Sequence, residues 1–188
     1  MGVDAHRLGP GRPCMIGLVS HDHPEGLVGH SDGDVAAHAL CDALLAAAGL
    51  PDIGSLFPPG DTEWEGASGR LLLGLVMKRV REAGLAAVNA HVVVMCEAPR
   101  IGRLREAMED AMSAVVGARV TVHATTTETM GALGRGEGAG PGDFLDLEVA
   151  DGAATIRARR PLFGPQPFLA IKARDGAYYH DALDWTGE

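Results

Sequence analysis

Two histidines and an aspartate in the first forty residues have a spacing that could hold a metal ion. Asp4 and His6 lie two positions apart, so on an extended segment their side chains point to the same side. His38 lies on a predicted helix, with Asp34 and Asp42 one turn away on the same face. Two imidazoles and one carboxylate suit a tetrahedral zinc ion with one open position, as in catalytic sites. Because short Asp-x-His patterns are common by chance, surface residues without a metal are the alternative.

A threonine-rich segment follows a predicted strand at residues 124–128. The hydroxyl groups of Thr125 and Thr126, together with backbone amides, can bind phosphate oxygens at such a strand end. The carboxylate of Glu128 can bind a hard cation such as Mg²⁺. An exposed strand end without a ligand is the alternative, because threonine is common in strands.

Three further segments carry weaker signals. The glycine-rich residues 131–138 allow tight turns, and Arg135 within them could bind an anion or pair with Glu137. Asp52 follows the first predicted helix, where its carboxylate could accept hydroxyl groups of a polyol or cap a turn. The His-Asp-His run at residues 21–23 also has a metal-like pattern, and we interpret it as a solvated loop.

The composition predicts a soluble protein with one main domain and excludes several classes of partner. The 188 residues are 46% hydrophobic and 22% charged, which is enough for a hydrophobic core. A formal net charge of -9 repels phosphate backbones, so we expect no nucleic-acid partner. No apolar run approaches the roughly 20 residues that span a bilayer, and the three cysteines form no CxxC pair. We therefore expect a cytoplasmic protein with no membrane partner.

Hydrophobic spacing predicts helices that alternate with strands. The helices are expected at residues 33–48, 68–83 and 101–116, each followed by a glycine that can end it. Ser31 or Asp32 is the predicted N-cap of the first helix. The strands are expected at residues 90–95, 119–124 and 144–149. This order predicts an α/β or α+β fold, with one mixed sheet that helices cover on one side.

The composition changes near the end of the chain. Five of the eight aromatic residues fall in the last forty positions. Two short strands are expected there, at residues 155–162 and 168–174. We therefore predict that residues 149–188 form a β-rich extension that folds onto the main domain.

Six motifs in collinear order resemble those of the 2-C-methyl-D-erythritol 2,4-cyclodiphosphate synthase family. They are GVDAH at residues 2–6, HSDGDVAAHAL at 30–40, DIGSLFP at 52–58, EAPR at 97–100, ATTTE at 124–128 and GRGEG at 134–138. The resemblance assigns residues 1–148 to a synthase-like domain. It implies a compact α/β subunit that assembles into a homotrimer with active sites between neighbouring subunits.

The resemblance also implies two metal ions. Asp4, His6 and His38 match the zinc ligands of the family. Glu128 matches a ligand of Mg²⁺ or Mn²⁺, whose coordination the substrate phosphates complete.

A CDP-linked small molecule is the implied substrate. The residues that match substrate-binding positions are His30, Ser31, Asp52 and Gly54 at the polyol, Thr125 and Thr126 at the diphosphate, and Ala98, Pro99 and Arg100 in the cytidine-binding loop. Arg135 is a further candidate for substrate binding, and Thr126 and Glu128 are the candidate catalytic residues.

The implied reaction is an intramolecular phosphoryl transfer in the non-mevalonate pathway of isoprene biosynthesis. The 2-phosphate of CDP-methylerythritol 2-phosphate attacks the β-phosphorus, and CMP leaves, which makes the enzyme a phosphorus–oxygen lyase. Because the attacking group belongs to the substrate, the protein supplies positioning and charge neutralisation rather than a nucleophile.

Four positions depart from the family pattern. Pro59 stands where a carboxylate is usual, Glu65 and Gly69 replace a Lys and a Ser, and Ala132 replaces a Phe. Two alternatives therefore remain open. One is a divergent sibling that cleaves or cyclises another CDP-linked phosphate or phosphonate, and the other is a non-catalytic trimer that binds nucleotide or metal.

Overall fold

The structure, a computed structural model, describes residues 1–140, 146–150 and 153–157. The chain divides into two units, Met1–Phe144 and Leu145–Glu188. Helices and strands are interleaved in the first unit, which confirms the predicted mixed α/β class.

Four short strands at the start of the chain were not predicted from the sequence. They are β1 (His6–Pro10), β2 (Cys14–Ile16), β3 (Val19–His21) and β4 (Glu25–Val28). β1 is the central strand of an antiparallel sheet, between β4 and β7 (Gly138–Ala139). β2 and β3 form a hairpin, and both residues of its two-residue turn have positive φ. This is the backbone geometry that joins tightly paired strands.

The three long predicted helices are confirmed, with shifted starts. The helices are α1 (Val35–Ala48), α2 (Ile53–Leu56), α3 (Gly69–Glu82), α4 (Arg105–Val116) and α5 (Gly131–Gly134). The N-cap of α1 is Asp34, not Ser31 or Asp32, because the carboxylate of Asp34 accepts the Ala37 amide. The third predicted helix begins as a separate 3₁₀ turn, Ile101–Arg103. Among the described residues, none of these helices has the length and apolar composition to cross a membrane.

Two parallel strands, β5 (Asn89–Met95) and β6 (Arg119–Thr125), form another sheet of the first unit. Alternate residues of both strands, including Val92 and Val122, are buried on the face that α1 and α4 cover. The opposite face presents His91, Val93 and His123. Because the strands are parallel, the segments that follow Met95 and Thr125 both begin at the carboxyl ends of the strands, on the same side of the sheet.

Among the described strands, the mixed sheet predicted from the sequence is seen as two sheets joined by a bridge. The antiparallel sheet β4–β1–β7 and the parallel sheet β5–β6 meet only at a bridge between Met95 and Gly140, with N–O distances of 3.2 and 3.1 Å.

The described part of the second unit is a hairpin. β8 (Asp146–Ala150) pairs antiparallel with β9 (Ala153–Arg157). These strands overlap the predicted strands at residues 144–149 and 155–162, whereas the predicted strand at 168–174 lies outside the described residues. A β-rich extension folded onto the main domain stays a prediction.

Asp34 joins the β2–β3 hairpin to the start of α1. Its side chain is fully buried. Its carboxylate accepts the amides of Gly17 at 2.8 Å, Leu18 at 2.6 Å and Ala37 at 3.0 Å. One side chain therefore satisfies both amides of the hairpin turn and one free amide of the helix N-terminus.

Asp34→Ala is expected to destabilise the fold by about 3 kcal/mol or more, because it leaves three buried amides without an acceptor. Urea unfolding at a fixed protein concentration measures the change. Asp22→Ala, which removes an exposed carboxylate, is the matched control and is expected to change stability by less than about 0.5 kcal/mol. A loss below about 1 kcal/mol in Asp34→Ala contradicts this role.

Candidate active site

The structure brings the side chains of Asp4, His6 and His38 together. Asp4 Oδ2 lies 2.8 Å from His6 Nε2 and 3.0 Å from His38 Nδ1. The two ring nitrogens are 3.2 Å apart. Within the described residues this is the one group of three or more His, Cys, Asp or Glu side chains arranged to hold a metal ion.

Local structure places the three groups on neighbouring elements. His6 opens β1, and Asp4 precedes it by two residues on the same extended segment. β4, which pairs with β1, ends at Val28, and the loop after it leads directly into α1. His38 lies in the first turn of α1 and is buried, so its imidazole reaches the start of β1.

The outer nitrogen of each imidazole is already hydrogen-bonded. His6 Nδ1 lies 2.9 Å from the Val28 carbonyl oxygen, which can only accept, so Nδ1 carries the proton and Nε2 presents its lone pair. His38 Nε2 lies 3.0 Å from Ser31 Oγ, which also accepts the Gly33 amide at 3.1 Å. A proton on His38 Nε2 leaves the lone pair of Nδ1 facing Asp4. Such outer bonds orient metal-binding histidines.

The lone pairs of Asp4 Oδ2, His6 Nε2 and His38 Nδ1 repel one another at these distances unless a proton or a metal ion lies between the atoms. Burial opposes ionisation of Asp4, yet its hydrogen bonds to His38 and His6 hold its pKa far below the usual value. Burial alone lowers the pKa of His6, but the hydrogen bond and charge of Asp4 outweigh it and raise that pKa. Protons and a metal ion therefore compete for these atoms.

The donor set fits zinc. Tetrahedral zinc with bonds near 2.0–2.1 Å places its ligand atoms about 3.3 Å apart. The distances of 2.8, 3.0 and 3.2 Å in this cluster need only small outward movements to reach that value. Three protein ligands leave a fourth position for a substrate oxygen.

Ser31→Ala is expected to weaken zinc binding about 10- to 100-fold, because His38 loses the hydrogen bond that fixes its ring and its tautomer. Competition with a chelator of known affinity measures the change. Ser20→Ala, which removes an exposed serine hydroxyl, is the control. Equal zinc affinity in Ser31→Ala and the parent protein contradicts the orienting role.

The threonine-rich loop lies at the end of β6, and Glu128 is not part of the Asp4 cluster. Thr126 Oγ1 donates to Glu128 Oε1 at 2.8 Å. Glu128 and Thr129 both have left-handed backbone, with φ of 52° and 63°. Thr125 is exposed at the last position of β6.

A residue that the sequence analysis missed, Glu97, supports this loop. Its Oε1 accepts the amide and hydroxyl of Thr127 at 3.1 and 3.2 Å and the amide of Thr129 at 3.2 Å. The available signal was a carboxylate just past the end of β5, beside the end of the parallel β6. Ala98, Pro99 and Arg100 follow it, so these candidate cytidine contacts lie at the same sheet edge.

The remaining candidate substrate residues have internal partners. His30 Nε2 lies 3.1 Å from the carbonyl oxygen of Asp61. Asp52 caps α2 by accepting the Ser55 amide at 2.7 Å, and that bond lowers its pKa. Gly54 is exposed within α2, and Arg135 pairs with Glu137.

The unusual residues fall into different environments. Pro59 and Glu65 are exposed, on either side of a 3₁₀ turn. Gly69 is buried where α3 meets α1, and a Cβ there would lie 2.9 Å from the Cβ atoms of both Ala37 and Asp34. The glycine at position 69 therefore allows close helix packing.

The interpretation of residues 21–23 as a solvated loop is wrong for His21. His21 is buried at the end of β3, and its Nε2 lies 3.2 Å from the Ile16 carbonyl oxygen. Burial lowers its pKa, so it is a neutral core histidine. His23 lies 2.8 Å from the Glu25 carbonyl oxygen through Nδ1.

Comparison with known proteins decides the family. Residues 1–140 match the YgbB family. This chain belongs to the YgbB family. A relative named 2-C-methyl-D-erythritol 2,4-cyclodiphosphate synthase, from Symbiobacterium thermophilum, is 50% identical over 140 residues, which are 73% of this chain and 89% of that protein. A synthase of the same name from Cutibacterium acnes is 50% identical over 139 residues, 73% of this chain and 83% of that protein.

Solved structures of cyclodiphosphate synthases are also similar to this chain. A 2C-methyl-D-erythritol-2,4-cyclodiphosphate synthase described as a CDP-bound form matches with a TM-score of 0.67 and 36% identity, over 74% of this chain and 92% of that one. The bifunctional IspDF of Campylobacter jejuni also matches with a TM-score of 0.67, at 35% identity, over 74% of this chain and 38% of that one. The shared region holds Asp4, His6, His38 and Glu128.

Proposed function

We propose that this YgbB protein converts CDP-methylerythritol 2-phosphate to the 2,4-cyclodiphosphate and releases CMP. The observation that carries the proposal is the convergence of Asp4, His6 and His38 in a chain that is 50% identical to named cyclodiphosphate synthases. A structural relative in a CDP-bound form supports a CDP-linked substrate.

The reaction needs no nucleophile from the protein. An oxygen of the substrate 2-phosphate forms a bond to the β-phosphorus, and the bond from that phosphorus to the oxygen bridging the α-phosphorus breaks. CMP leaves with that oxygen, and the new phosphoanhydride closes the ring. The barrier falls because the reacting groups are held in line and their negative charge is offset.

Different residues of the chain would bind the metal ions and the diphosphate. Asp4, His6 and His38 would hold zinc, and Glu128 would hold Mg²⁺ or Mn²⁺; these ions supply Lewis-acid character and offset the phosphate charge. Thr125 and Thr126 stand at the carboxyl end of β6, where the Thr125 hydroxyl and nearby backbone amides can donate to the diphosphate while the Thr126 hydroxyl donates to Glu128.

Other residues would contact the polyol and cytidine ends of the substrate. Ala98, Pro99 and Arg100 would contact the cytidine. Ser31 adjoins His38, so its hydroxyl hydrogen can still reach the polyol while its oxygen accepts from His38. We assign the polyol to the same side of the site, near His30 and the α2 cap at Asp52.

We further propose that the protein is a cytoplasmic homotrimer with active sites between neighbouring subunits. Two observations favour this assembly. Glu128 is not part of the metal-binding cluster of its own chain, and the face of β5–β6 away from the helices carries Val93, which is 44% exposed. Light scattering after gel filtration, expected to give the mass of three 19.5 kDa chains, measures the assembly.

Release of CMP tests the function. Purified protein with Zn²⁺ and Mg²⁺ is expected to release CMP from CDP-methylerythritol 2-phosphate. Chelation is expected to stop the release and metal addition to restore it. No CMP from this substrate in zinc-loaded protein contradicts the proposal.

A divergent activity on another CDP-linked phosphate or phosphonate is the second candidate. It is favoured by Pro59, which stands where the family pattern has a carboxylate. Release of CMP from such a compound, with none from CDP-methylerythritol 2-phosphate, supports this alternative.

A further inference from the structure

Glu97 binds the loop that carries Glu128 on both sides of that residue. A single oxygen, Oε1, accepts the Thr127 amide at 3.1 Å and the Thr129 amide at 3.2 Å, and it shares the hydrogen of the Thr127 hydroxyl, at 3.2 Å, with the Met130 carbonyl oxygen, at 2.8 Å. The side chain is partly buried, so water competes poorly for these donors. The path of the loop around Glu128 is therefore held by one carboxylate from another strand end.

The backbone of the loop needs such support. Glu128 and Thr129 have φ values of 52° and 63°, in the left-handed region that residues other than glycine seldom adopt. A β-branched residue such as Thr129 is especially disfavoured there, so the surrounding contacts must hold it. Within the loop, the bond from Thr126 Oγ1 to Glu128 Oε1 at 2.8 Å then aims the Glu128 side chain.

The same carboxylate links two segments with different proposed roles. Glu97 directly precedes Ala98, Pro99 and Arg100, and the Cys96 amide donates to the Thr125 carbonyl oxygen at 3.2 Å just before it. The segment after β5 and the loop after β6 are therefore fastened together at the sheet edge.

We propose that Glu97 is a positioning residue that holds the Glu128 carboxylate where a nucleotide-bound divalent cation can reach it. This inference rests on the proposed function, in which Glu128 binds Mg²⁺ or Mn²⁺ beside the substrate phosphates. Glu97 acts in this role through an oxygen that accepts hydrogen bonds, rather than through its negative charge. An amide oxygen should therefore replace it.

Binding of Mn²⁺ in the presence of CDP tests the proposal without turnover. Electron paramagnetic resonance of free Mn²⁺ gives the affinity for the zinc-loaded parent protein, Glu97→Ala, Glu97→Gln and Thr127→Val. Glu97→Ala is expected to weaken Mn²⁺ about 10-fold or more, and to raise the Mg²⁺ concentration for half-maximal CMP release by a similar factor. Glu97→Gln is expected to stay within about 3-fold of the parent protein, because its carbonyl oxygen accepts the same donors.

Controls separate positioning from general damage. Glu106→Ala removes an exposed glutamate from the first turn of α4 and is expected to change nothing. Zinc content is expected to be equal in all variants. Should Glu97→Ala not fold, Thr127→Val removes the hydroxyl donor to Glu97, together with the bond from that hydroxyl to the Met130 carbonyl oxygen, and leaves the carboxylate intact, with an expected 2- to 3-fold loss of Mn²⁺ affinity.

The outcomes distinguish the positioning role of Glu97 from the proposed function. Parent-like Mn²⁺ affinity in Glu97→Ala, or equal losses in Glu97→Ala and Glu97→Gln, overturns the positioning role. Absence of Mn²⁺ binding by the parent protein with CDP also overturns it. If Mn²⁺ binding depends on Glu97 but the parent protein releases no CMP, the proposed function fails and the positioning role stands.

Discussion

His38→Ala is expected to lose zinc and activity together. The substitution removes Nδ1, one of three donor atoms that lie within 3.2 Å of one another, and leaves only Asp4 and His6. We expect zinc affinity to fall by more than about 100-fold, because losing a ligand costs more than losing its outer hydrogen bond. CMP release is expected to fall by roughly 10³-fold, since the β-phosphate loses its Lewis acid. Metal analysis of the purified variant and a CMP assay measure the two effects.

His23→Ala is the matched control for this prediction. It removes a partly buried histidine whose ring nitrogen contacts a carbonyl oxygen outside the cluster. Zinc content and CMP release are both expected to match those of the parent protein. Stoichiometric zinc in His38→Ala contradicts the assignment of the cluster.

Glu128→Gln is expected to impair the Mg²⁺ site and to leave the zinc site unchanged. The amide keeps the size of the side chain and can still accept the Thr126 hydroxyl, but it removes the negative charge that attracts a hard cation. Zinc content is expected to remain unchanged, because Glu128 is not part of the cluster. CMP release at saturating substrate is expected to fall about 10²- to 10³-fold and to respond weakly to added Mg²⁺.

Glu106→Gln, on the exposed first turn of α4, is the control for the change from acid to amide. It is expected to keep the Mg²⁺ dependence of the parent protein. Normal turnover by Glu128→Gln contradicts the role assigned to Glu128, whatever the zinc content is.

Features set by neighbouring residues were predictable from the sequence. The helices α1 and α4 end at glycines with left-handed backbone, as their positions indicated. Asp4 and His6 share a side because they alternate on an extended segment. Their meeting with His38 was a hypothesis from residue types that the family resemblance strengthened, because it depends on the pairing of β1 with β4.

Features set by long-range contacts were missed. The strands β2 to β4 are only three or four residues long, so no alternating pattern extends far enough to identify them. Asp34 was noted for sharing the helix face of His38, but its acceptor role depends on a turn seventeen residues away. The contact of Glu97 with Thr127 spans thirty residues and follows only from the parallel pairing of β5 and β6.

The departures from the family pattern have a partly structural explanation. Gly69 lies against Ala37 and Asp34, so it reflects helix packing rather than altered substrate contacts. Pro59 lies in an exposed turn, where the structure gives it no packing role. Of these two positions, Pro59 is the one that packing does not explain.

The central claim is that this protein closes a cyclic diphosphate, and ³¹P NMR of the reaction mixture tests it most directly. With zinc, Mg²⁺ and CDP-methylerythritol 2-phosphate, we predict two coupled resonances of the cyclic diphosphate together with the single resonance of CMP. Signals of CMP with a linear phosphate product, or an unchanged spectrum from zinc-loaded protein, contradict the claim.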